Sequence, residues 1–488
     1  MKLLLDTCIL IPAEPTDVTE IEPDTGVIAL LQRACQEIGV QTYVHPSSVE
    51  ELAHDRQDQR RQARELLVQR YLSLERPPEI TPELELRVGA AAPGSHDEID
   101  NKMLAAVFGE AVDLLVTLDV RLLKKAERAD LRNRVGTPIE ILRQIQTRRS
   151  RKAVPRPGIR FALSYELNSK DAIFNQLRSE YQDFDNWLSK CKLEHRPTWF
   201  IKRADSSYGA VSIIKDEQPG GYGLPGKVLK ICTFAAESGR GYGELLLKAV
   251  FDHAFLNSYD RLYLEVYPKH GDVIQLLKKF GFGDLGCEST KGEQVLVKAI
   301  SRTQIERDRM TPLEYNIQCG PQRVKLDGAP TFVIPIQSKF HRVLFPEAGA
   351  QRDLFPGHFP FGNAIRKAYL CHSNVKKVMP GALLLFYQSR RNQGIYCVGV
   401  AEKSIRSCDP QEILNFVGTR TVYSIEEIEK QCVKEVLAIL FRHAVTLENE
   451  WRGTHLIEGG VIAAPPQSIV EVPQEALPWL KTRLSKWL

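Results

Sequence analysis

The residues of this chain best suited to chemistry are carboxylates at the ends of apolar runs. Asp6 stops Leu3-Leu4-Leu5, and Asp119 stops Leu114-Leu115-Val116-Thr117-Leu118. Asp97 and Asp100 open a segment in which Met103, Leu104, Val107 and Phe108 recur at helical spacing. Glu51 lies in Pro46-Ser47-Ser48-Val49-Glu50-Glu51-Leu52, where Ser47 suits the N-cap and Glu50 completes a capping box, leaving Glu51 to face a site. An acid just past the carboxyl end of a parallel strand stands where open α/β sheets place their ligands. Asp6, Glu51, Asp100 and Asp119, with Asp97 near, are therefore expected to form an acidic cluster at one rim. Such a cluster is repulsive unless cations occupy it, and hard oxygen donors of this kind suit Mg²⁺ or Mn²⁺. The alternative is that these acids are caps and solvated surface, and Asp97 taken alone fits that alternative equally well.

The elements that must carry them follow from the apolar pattern. Leu3–Leu5, Tyr43–His45 and Leu114–Leu118 read as short strands, with helical stretches between them, so residues 1–147 are expected to form an α/β/α domain with a parallel sheet. Length agrees with further domains, because 488 residues at 43% hydrophobic content suffice for about three cores. A net charge of +4 is too small to argue for nucleic acid unless it is clustered. Ten cysteines without a CxxC pair or zinc cadence predict reduced thiols, no disulfide, no zinc and a cytoplasmic location. No apolar run approaches the roughly 20 residues of a membrane span, so a soluble protein without a membrane partner is expected.

In their order, LLLDT, VEEL, DEIDNKMLAA and LLVTLD resemble a PIN-family ribonuclease domain. The resemblance implies that Asp6, Glu51, Asp100 and Asp119, with Asp97 as a further ligand, hold Mg²⁺ or Mn²⁺ and activate water against an RNA phosphodiester. Thr7 and Lys102 would assist. Cys8 departs from the family, many members of which carry Asn after the Asp-Thr pair.

Residues 148–158 read as a linker, with Arg148, Arg149, Arg151, Lys152 and Arg156 around two prolines. This basic run suits either a phosphate backbone or solvent. Next, the strand Val228–Phe234 leads into Ser238-Gly239-Arg240-Gly241-Tyr242-Gly243 and then a helix. Glycines let such a turn present N–H groups to an anion, and the helix N-terminus adds a favourable dipole. A second strand, Leu262–Tyr267, precedes a helix ending Lys278-Lys279-Phe280-Gly281-Phe282. Together these resemble a GNAT acetyltransferase over residues 159–305, with an α+β mixed sheet. The resemblance implies that Gly239, Arg240, Gly241, Tyr242 and Gly243 cradle the pyrophosphate of acetyl-CoA. Three positions depart: Ser238 for Arg or Gln, His270 for Asn, and Leu277 for the Tyr that protonates the departing thiolate. Glu237, Glu265 and Tyr267 are candidate acids or bases, though each also reads as a structural residue.

In residues 310–450, the strands near Phe361–Leu370, Val378–Tyr387 and Gly394–Glu402, with Pro380-Gly381 as a turn, resemble the PUA-like barrels that include ASCH and EVE domains. That resemblance implies RNA recognition. Arg366, Lys367, Tyr369, Lys376, Lys377 and Arg390 mix cations with an aromatic as base stacking and phosphate contact require, and a half-buried barrel surface is the alternative. An amphipathic helix is expected over Ile425–Glu450, and residues 451–488 read as a loose tail able to dock on another domain or on a second copy in a homo-oligomer.

Three functions emerge. The first is a metal-dependent ribonuclease acting on RNA, tRNA among the candidates, with fused acetyl-CoA-binding and RNA-recognising domains. The second is an N-acetyltransferase for an RNA-linked amine or a protein lysine. The third is a non-enzymatic RNA-binding regulator. The pairing of a PIN-like with a GNAT-like unit resembles toxin-antitoxin or phage-defence arrangements, which is fold-level analogy.

Overall fold

The computed structural model describes residues 1–13, 24–37, 40–53, 68, 71–149, 159–203, 206–237, 241–345, 365–389, 393–423 and 425–488. It divides into two compact units, Met1–Val154 with Asp409–Thr419, and Pro155–Cys408 with Arg420–Leu488. The residues expected to link two domains, 148–158, lie mostly outside the described ones.

In the first unit the strands are β1 (Lys2–Leu5), β2 (Gln41–Val44), β3 (Leu72–Ser73), β4 (Leu114–Val116) and β5 (Val135–Gly136). All pair in parallel, in the order β3-β2-β1-β4-β5. The helices are α1 (Thr7–Ala13), α2 (Thr25–Glu37), α3 (Pro46–Ala53), α4 (Pro82–Val88), α5 (His96–Phe108), α6 (Val120–Arg128) and α7 (Pro138–Arg149). Helices on both faces explain why Leu3, Leu4, Leu5, Leu114, Leu115 and Val116 are all buried and the strands read as unbroken apolar runs. The strand order reverses direction between β1 and β4, and such a switch point leaves a crevice at the carboxyl ends of the strands. Asp6 and Asp119 flank that crevice.

Two details differ from the sequence reading. α3 begins at Pro46 rather than after Ser47, and the Ser47 N–H donates to the His45 ring at 3.2 Å, so His45 takes the capping place. The helix Pro410–Val417, expected within the third domain, packs on α2 in the first unit; a Cβ on Gly26 would come within 2.6 Å of the Asn415 backbone, so only glycine permits the approach.

The second unit holds two sheets. The first has seven strands, β6 (Ile159–Leu163), β7 (Pro197–Lys202), β8 (Tyr208–Glu217), β9 (Val228–Ala236), β10 (Arg261–Val266), β11 (Gly283–Glu288) and β12 (Gln294–Ala299), in the order β11-β12-β10-β9-β8-β7-β6. Only β9 and β10 are parallel; the other neighbours are antiparallel, giving the expected mixed sheet. One face packs on α8 (Asn175–Glu180) and α9 (Phe184–Leu193) through Phe174, Phe184, Leu188, Phe200 and Ile213. The other face packs on α10 (Tyr242–Leu256) and α11 (Gly271–Lys279) through Ile231, Leu247, Val250, Leu264 and Leu277. The helix α12 (Pro312–Cys319) is joined to this sheet by a buried ammonium: Lys298 of β12 donates to the carbonyls of Phe280, Ile317 and Gln318 at 2.7–2.8 Å. Two of those carbonyls lie in the last turn of α12, where helical carbonyls lack internal partners.

The second sheet comprises β13 (Thr331–Gln337), β14 (Arg366–Cys371), β15 (Leu383–Ser389), β16 (Gly394–Ser407), β17 (Val436–Arg452) and β18 (Val470–Glu471), in the order β14-β17-β16-β15-β13-β18. Among the described residues no pairing joins β14 to β18, so the expected barrel is an open mixed sheet here. The helix expected over Ile425–Glu450 is corrected: helix stops at Gln431 and Val436–Arg452 is the longest strand of the chain. The run Val436–Val445 is buried without alternation, the pattern of a strand covered on both faces, and periodicity alone does not separate such a strand from a buried helix. The supposed tail is core: Val472, Ala476, Leu480 and Leu484 are buried against Val333, Leu385 and Val445. No helix among the described residues is long and apolar enough to cross a membrane.

Candidate functional site

The acidic rim of the first unit is built by β1 and β4. Asp6 follows β1 directly and is nearly fully buried. Its Oδ2 accepts from the Thr117 hydroxyl at 2.5 Å and the Cys8 thiol at 3.0 Å, and its Oδ1 accepts from Thr7 at 3.2 Å. Thr117 in turn accepts from the Asp119 N–H at 2.9 Å, so one hydroxyl ties the two strand ends together. Asp119 is the N-cap of α6, its Oδ1 accepting from the N–H groups of Arg121 and Leu122.

Asp100 comes from α5, and its carboxyl is held above the ordinary range, first by burial and then by the nearby charges of Asp119 and Asp6, with Lys125 opposing. The Thr117 hydroxyl links Asp6 to the Asp119 backbone, and Lys125, on the helix that Asp119 caps, reaches Asp100, so the three acids lie in one locality. Lys125 of α6 donates to Asp97 Oδ1 at 2.7 Å and Asp100 Oδ2 at 3.1 Å. Asp97 is correspondingly held low by that ammonium, and at 62% side-chain exposure it stands at the edge of the cluster. Glu51 is on α3, but its side chain lies outside the described residues. Among the described residues no group of three His, Cys, Asp or Glu side chains is arranged to hold a metal ion. The donors do not make a ligand set as they stand, since Lys125 and the α6 cap occupy oxygens a cation would need. Lys102, expected to assist, pairs with Glu98 at 2.9 Å.

Lys125 and Thr117 were not anticipated. Leu122, Lys125, Ala126 and Ala129 recur at helical spacing and are all buried, and that stripe was the available signal for Lys125. Cys8, where the family pattern differs, is a half-buried thiol pushed up to about 12 by desolvation and then Asp6.

The second locality lies where β9 and β10 part. They pair at Arg261–Val228, Leu262–Leu229 and Tyr263–Lys230, after which β9 continues to Ala236 with no strand partner on that side among the described residues. A register shift against β8 leaves Cys232 as an extra residue in β9, a bulge that bends the strand where the gap opens. Beyond β9, Gly241 has φ +68° and is the N-cap of α10. Gly243 faces α11, where a Cβ would stand 2.8 Å from Leu276. Gly239 and Arg240 lie outside the described residues. The side chain of Tyr242 is buried with Ile201, Ala210 and Leu246, leaving its backbone N–H at the helix end.

Around the open ends of these strands, acids and phenols are paired. Glu265 accepts from Tyr222 at 2.6 Å and from Lys230 at 2.8 Å, Tyr263 bonds Glu217, and Tyr181 bonds Glu293. His270 bonds Glu180 at 2.9 Å, and this bond with that of Lys269 holds the Glu180 carboxyl low despite its burial. Tyr267 stacks on Tyr181 with ring centroids 5.4 Å apart, and its hydroxyl has no hydrogen-bond partner among the described residues. Leu277 is fully buried in the core.

The RNA-contact residues expected on the second sheet are corrected in part. Lys367 is fully buried and donates to the Leu344 carbonyl at 2.5 Å. Tyr369 is buried and donates to Pro335 at 2.6 Å. Arg366 binds Glu402 through two nitrogens. All three are held by the protein itself, because alternate residues of a strand covered on both faces have no solvent side. Lys376 and Lys377 are exposed, and Arg390 lies outside the described residues. A cavity of about 620 Å³ in this domain is lined by Phe340, Tyr369, Tyr387, Tyr423, Gln393 and Gln467 among others.

Residues 162–282 match the acetyltransferase (GNAT) family, so this stretch is a GNAT acetyltransferase domain. No curated protein matches the sequence. Among solved structures, an N-acetyltransferase from Staphylococcus aureus Mu50 is 16% identical, covering 30% of this chain and 99% of its own, at a TM-score of 0.25. yncA from Salmonella typhimurium, solved with its cofactor acetyl-CoA, is 15% identical over 30% of this chain and 95% of its own, also at 0.25. ASCH from Zymomonas mobilis is 14% identical over 31% of this chain and 94% of its own, again at 0.25.

Proposed function

We propose, from a GNAT domain whose parallel strands diverge beside a glycine-opened helix, that the chain is an acetyl-CoA-dependent N-acetyltransferase. The observation that carries this reading is the parting of β9 from β10 after three pairs, which leaves the later half of β9 unpaired on that side on its way to Gly241 and α10. The unpaired edge of β9 offers backbone groups to the amides of a pantetheine arm, and the N-terminus of α10 offers N–H groups and a dipole to its pyrophosphate. Gly241 and Gly243, with the Tyr242 backbone, open that helix, and the resemblance adds Gly239 and Arg240, which lie outside the described residues.

The acceptor is a primary amine, RNA-linked or on a protein lysine. Its lone pair attacks the thioester carbonyl, the C–N bond forms and the C–S bond then breaks, the nitrogen gives up one proton to solvent, and the departing thiolate of coenzyme A takes one up, leaving amide and free thiol. Strand amides aimed at the carbonyl oxygen stabilise its developing charge. Holding amine and thioester together supplies a further large part of the acceleration. Leu277 has no proton to give, so Tyr267, with its unpartnered hydroxyl beside the gap, is the candidate donor to the thiolate. Glu265 is tethered to Lys230 and Tyr222, which suits it to orienting the acceptor more than to taking its proton. Calorimetry of the full chain with acetyl-CoA tests the reading: binding is expected and Gly241→Glu should abolish it, whereas no heat, or equal affinity in the variant, removes the proposal.

A separate observation favours a second activity, hydrolysis of RNA at the rim of residues 1–147: Asp6 and the Asp119 backbone are tied through Thr117 at a sheet switch point, with Asp100 held beside them by Lys125 of the helix that Asp119 caps. Labelled RNA incubated with Mg²⁺ or Mn²⁺ and the native, Asp6→Asn or Asp119→Asn protein decides it. Loss of cleavage in both variants supports the activity, and equal decay with all three rejects it.

A further inference from the structure

Glu402 of β16 lies among three guanidinium groups. Arg366 reaches it with two nitrogens at 2.8 Å, Arg442 at 3.1 Å and Arg420 at 3.8 Å. Lys279, the last residue of α11, adds a fourth cation: its side chain reaches solvent, yet its ammonium is held low by partial desolvation and then by Arg366 and Arg420, with Glu244 opposing. Lys279 makes no ion pair or hydrogen bond among the described residues. The acids acting on these groups are Glu402 and Glu244, whose Oε1 accepts the Arg366 N–H at 2.7 Å. Among the described residues, four cations against two carboxylates leave positive charge without a counter-charge in a partly desolvated place, which is unfavourable unless an anion completes it.

The location says which anion. Glu244 is in the first turn of α10, three residues after Gly241, and Lys279 closes the helix on which Gly243 packs. The excess charge therefore stands about one helical turn from the place assigned above to a pyrophosphate. Coenzyme A carries a second phosphate one ribose away from its pyrophosphate, on the 3′ oxygen. We infer that Lys279 and Arg420, with Arg366 held in position by Glu402, receive the 3′-phosphate of acetyl-CoA, so that the second sheet completes the cofactor site of the first. The inference rests on the acetyl-CoA reading. Arg442 has no part in contact: it is buried, bonded to Asn316 at 3.0 Å and stacked on Phe280, and serves as a fixed wall. Arg420, 28% exposed, and Lys279 are the groups open to a ligand. Charge-assisted contacts of this kind discriminate strongly between a phosphate and a hydroxyl at the same position.

The test compares acetyl-CoA with acetyl-dephospho-CoA, which lacks only that phosphate, by calorimetry on the full chain and its Lys279→Gln and Arg420→Gln variants. The native protein should bind acetyl-CoA about tenfold or more tightly over the dephospho form. Lys279→Gln, a solvent-reaching position that leaves the fold intact, should shrink that ratio several-fold while leaving the dephospho affinity unchanged, and Arg420→Gln should act in the same direction. Equal native affinities for the two nucleotides would overturn the inference while leaving the acetyl-CoA reading standing. Equal weakening of both nucleotides in the Lys279→Gln variant would do the same. Failure of both nucleotides to bind would remove that reading and the inference with it.

Discussion

Lys125 and Glu402 are opposites placed in similar surroundings. One is an ammonium among carboxylates at the ends of parallel strands, the other a carboxylate among guanidiniums where two sheets of one unit meet. Their side chains are equally hidden, 9% and 11% exposed. The difference is in the partners. Around Lys125 the direct partners are Asp97, which is largely in solvent, and Asp100, whereas the neighbouring Asp6 and Asp119 carry their own hydrogen bonds, to Thr117 and to the α6 backbone, and are positioned without it. Around Glu402 the guanidiniums depend on it, because Arg366 bonds it through two nitrogens and Arg442, fully enclosed, has besides it one hydrogen bond, to Asn316, among the described residues. A central ion is structural when its neighbours have few other partners, and adjustable when they have their own.

The sharpest break of this comparison is Glu402→Ala. It strands Arg366 and Arg442 without counter-charge and should lower unfolding free energy by roughly 3–5 kcal/mol in a denaturant titration; a loss under about 1 kcal/mol would show that the guanidiniums relax to water. Acid should reach the same group. Burial alone would raise the Glu402 carboxyl, but the three arginines outweigh it and hold it at about 2, below its usual 4.5. Its stabilisation is complete above the ordinary carboxylate range and disappears as pH falls towards 2. That loss is on the order of 3 kcal/mol, readable as a pH-dependent unfolding midpoint that the alanine variant lacks.

Lys125→Met tests the other half with a smaller effect, about 1–3 kcal/mol, since Asp100 is then left partly buried without its donor. Carboxyl NMR titration should show Asp100 climbing further above its ordinary range, and an unchanged midpoint would break the proposed coupling. Gly241→Val places a branched side chain in the left-handed region and should reduce stability by about 1–2 kcal/mol, with the thermal midpoint as readout. Asp97→Asn should matter least, within about 1 kcal/mol, because its pair with Lys125 is solvent-exposed on the acid's side; a larger loss would move Asp97 into the cluster proper.

Much of this arrangement was legible beforehand, and its limits have physical causes. Asp6 and Asp119 were readable as strand-end acids because an apolar run stopped by a carboxylate is a local pattern. The glycines before α10 were readable for a similar reason, since positive φ at Gly241 is a local demand. Val436–Arg452 was read as helix because burial on both faces erases the alternation that marks a strand. Arg366, Lys367 and Tyr369 read as a basic-aromatic surface because a sequence shows charge without showing its partner. Residues 451–488 lacked strong periodicity, and only their packing on Leu385 and Val445 makes them core.

By itself the sequence determined three of the parallel strands of the first unit, the acids that follow two of them and the glycine turn of the GNAT domain, all of which rest on neighbours within one or two turns of chain. Tertiary structure alone decided that Lys125 would sit among those acids, that β9 would part from β10, and that Glu402 would gather arginines from three segments. Those outcomes depend on which distant groups share a desolvated space, and long-range Coulomb and burial terms leave no periodic trace in the chain.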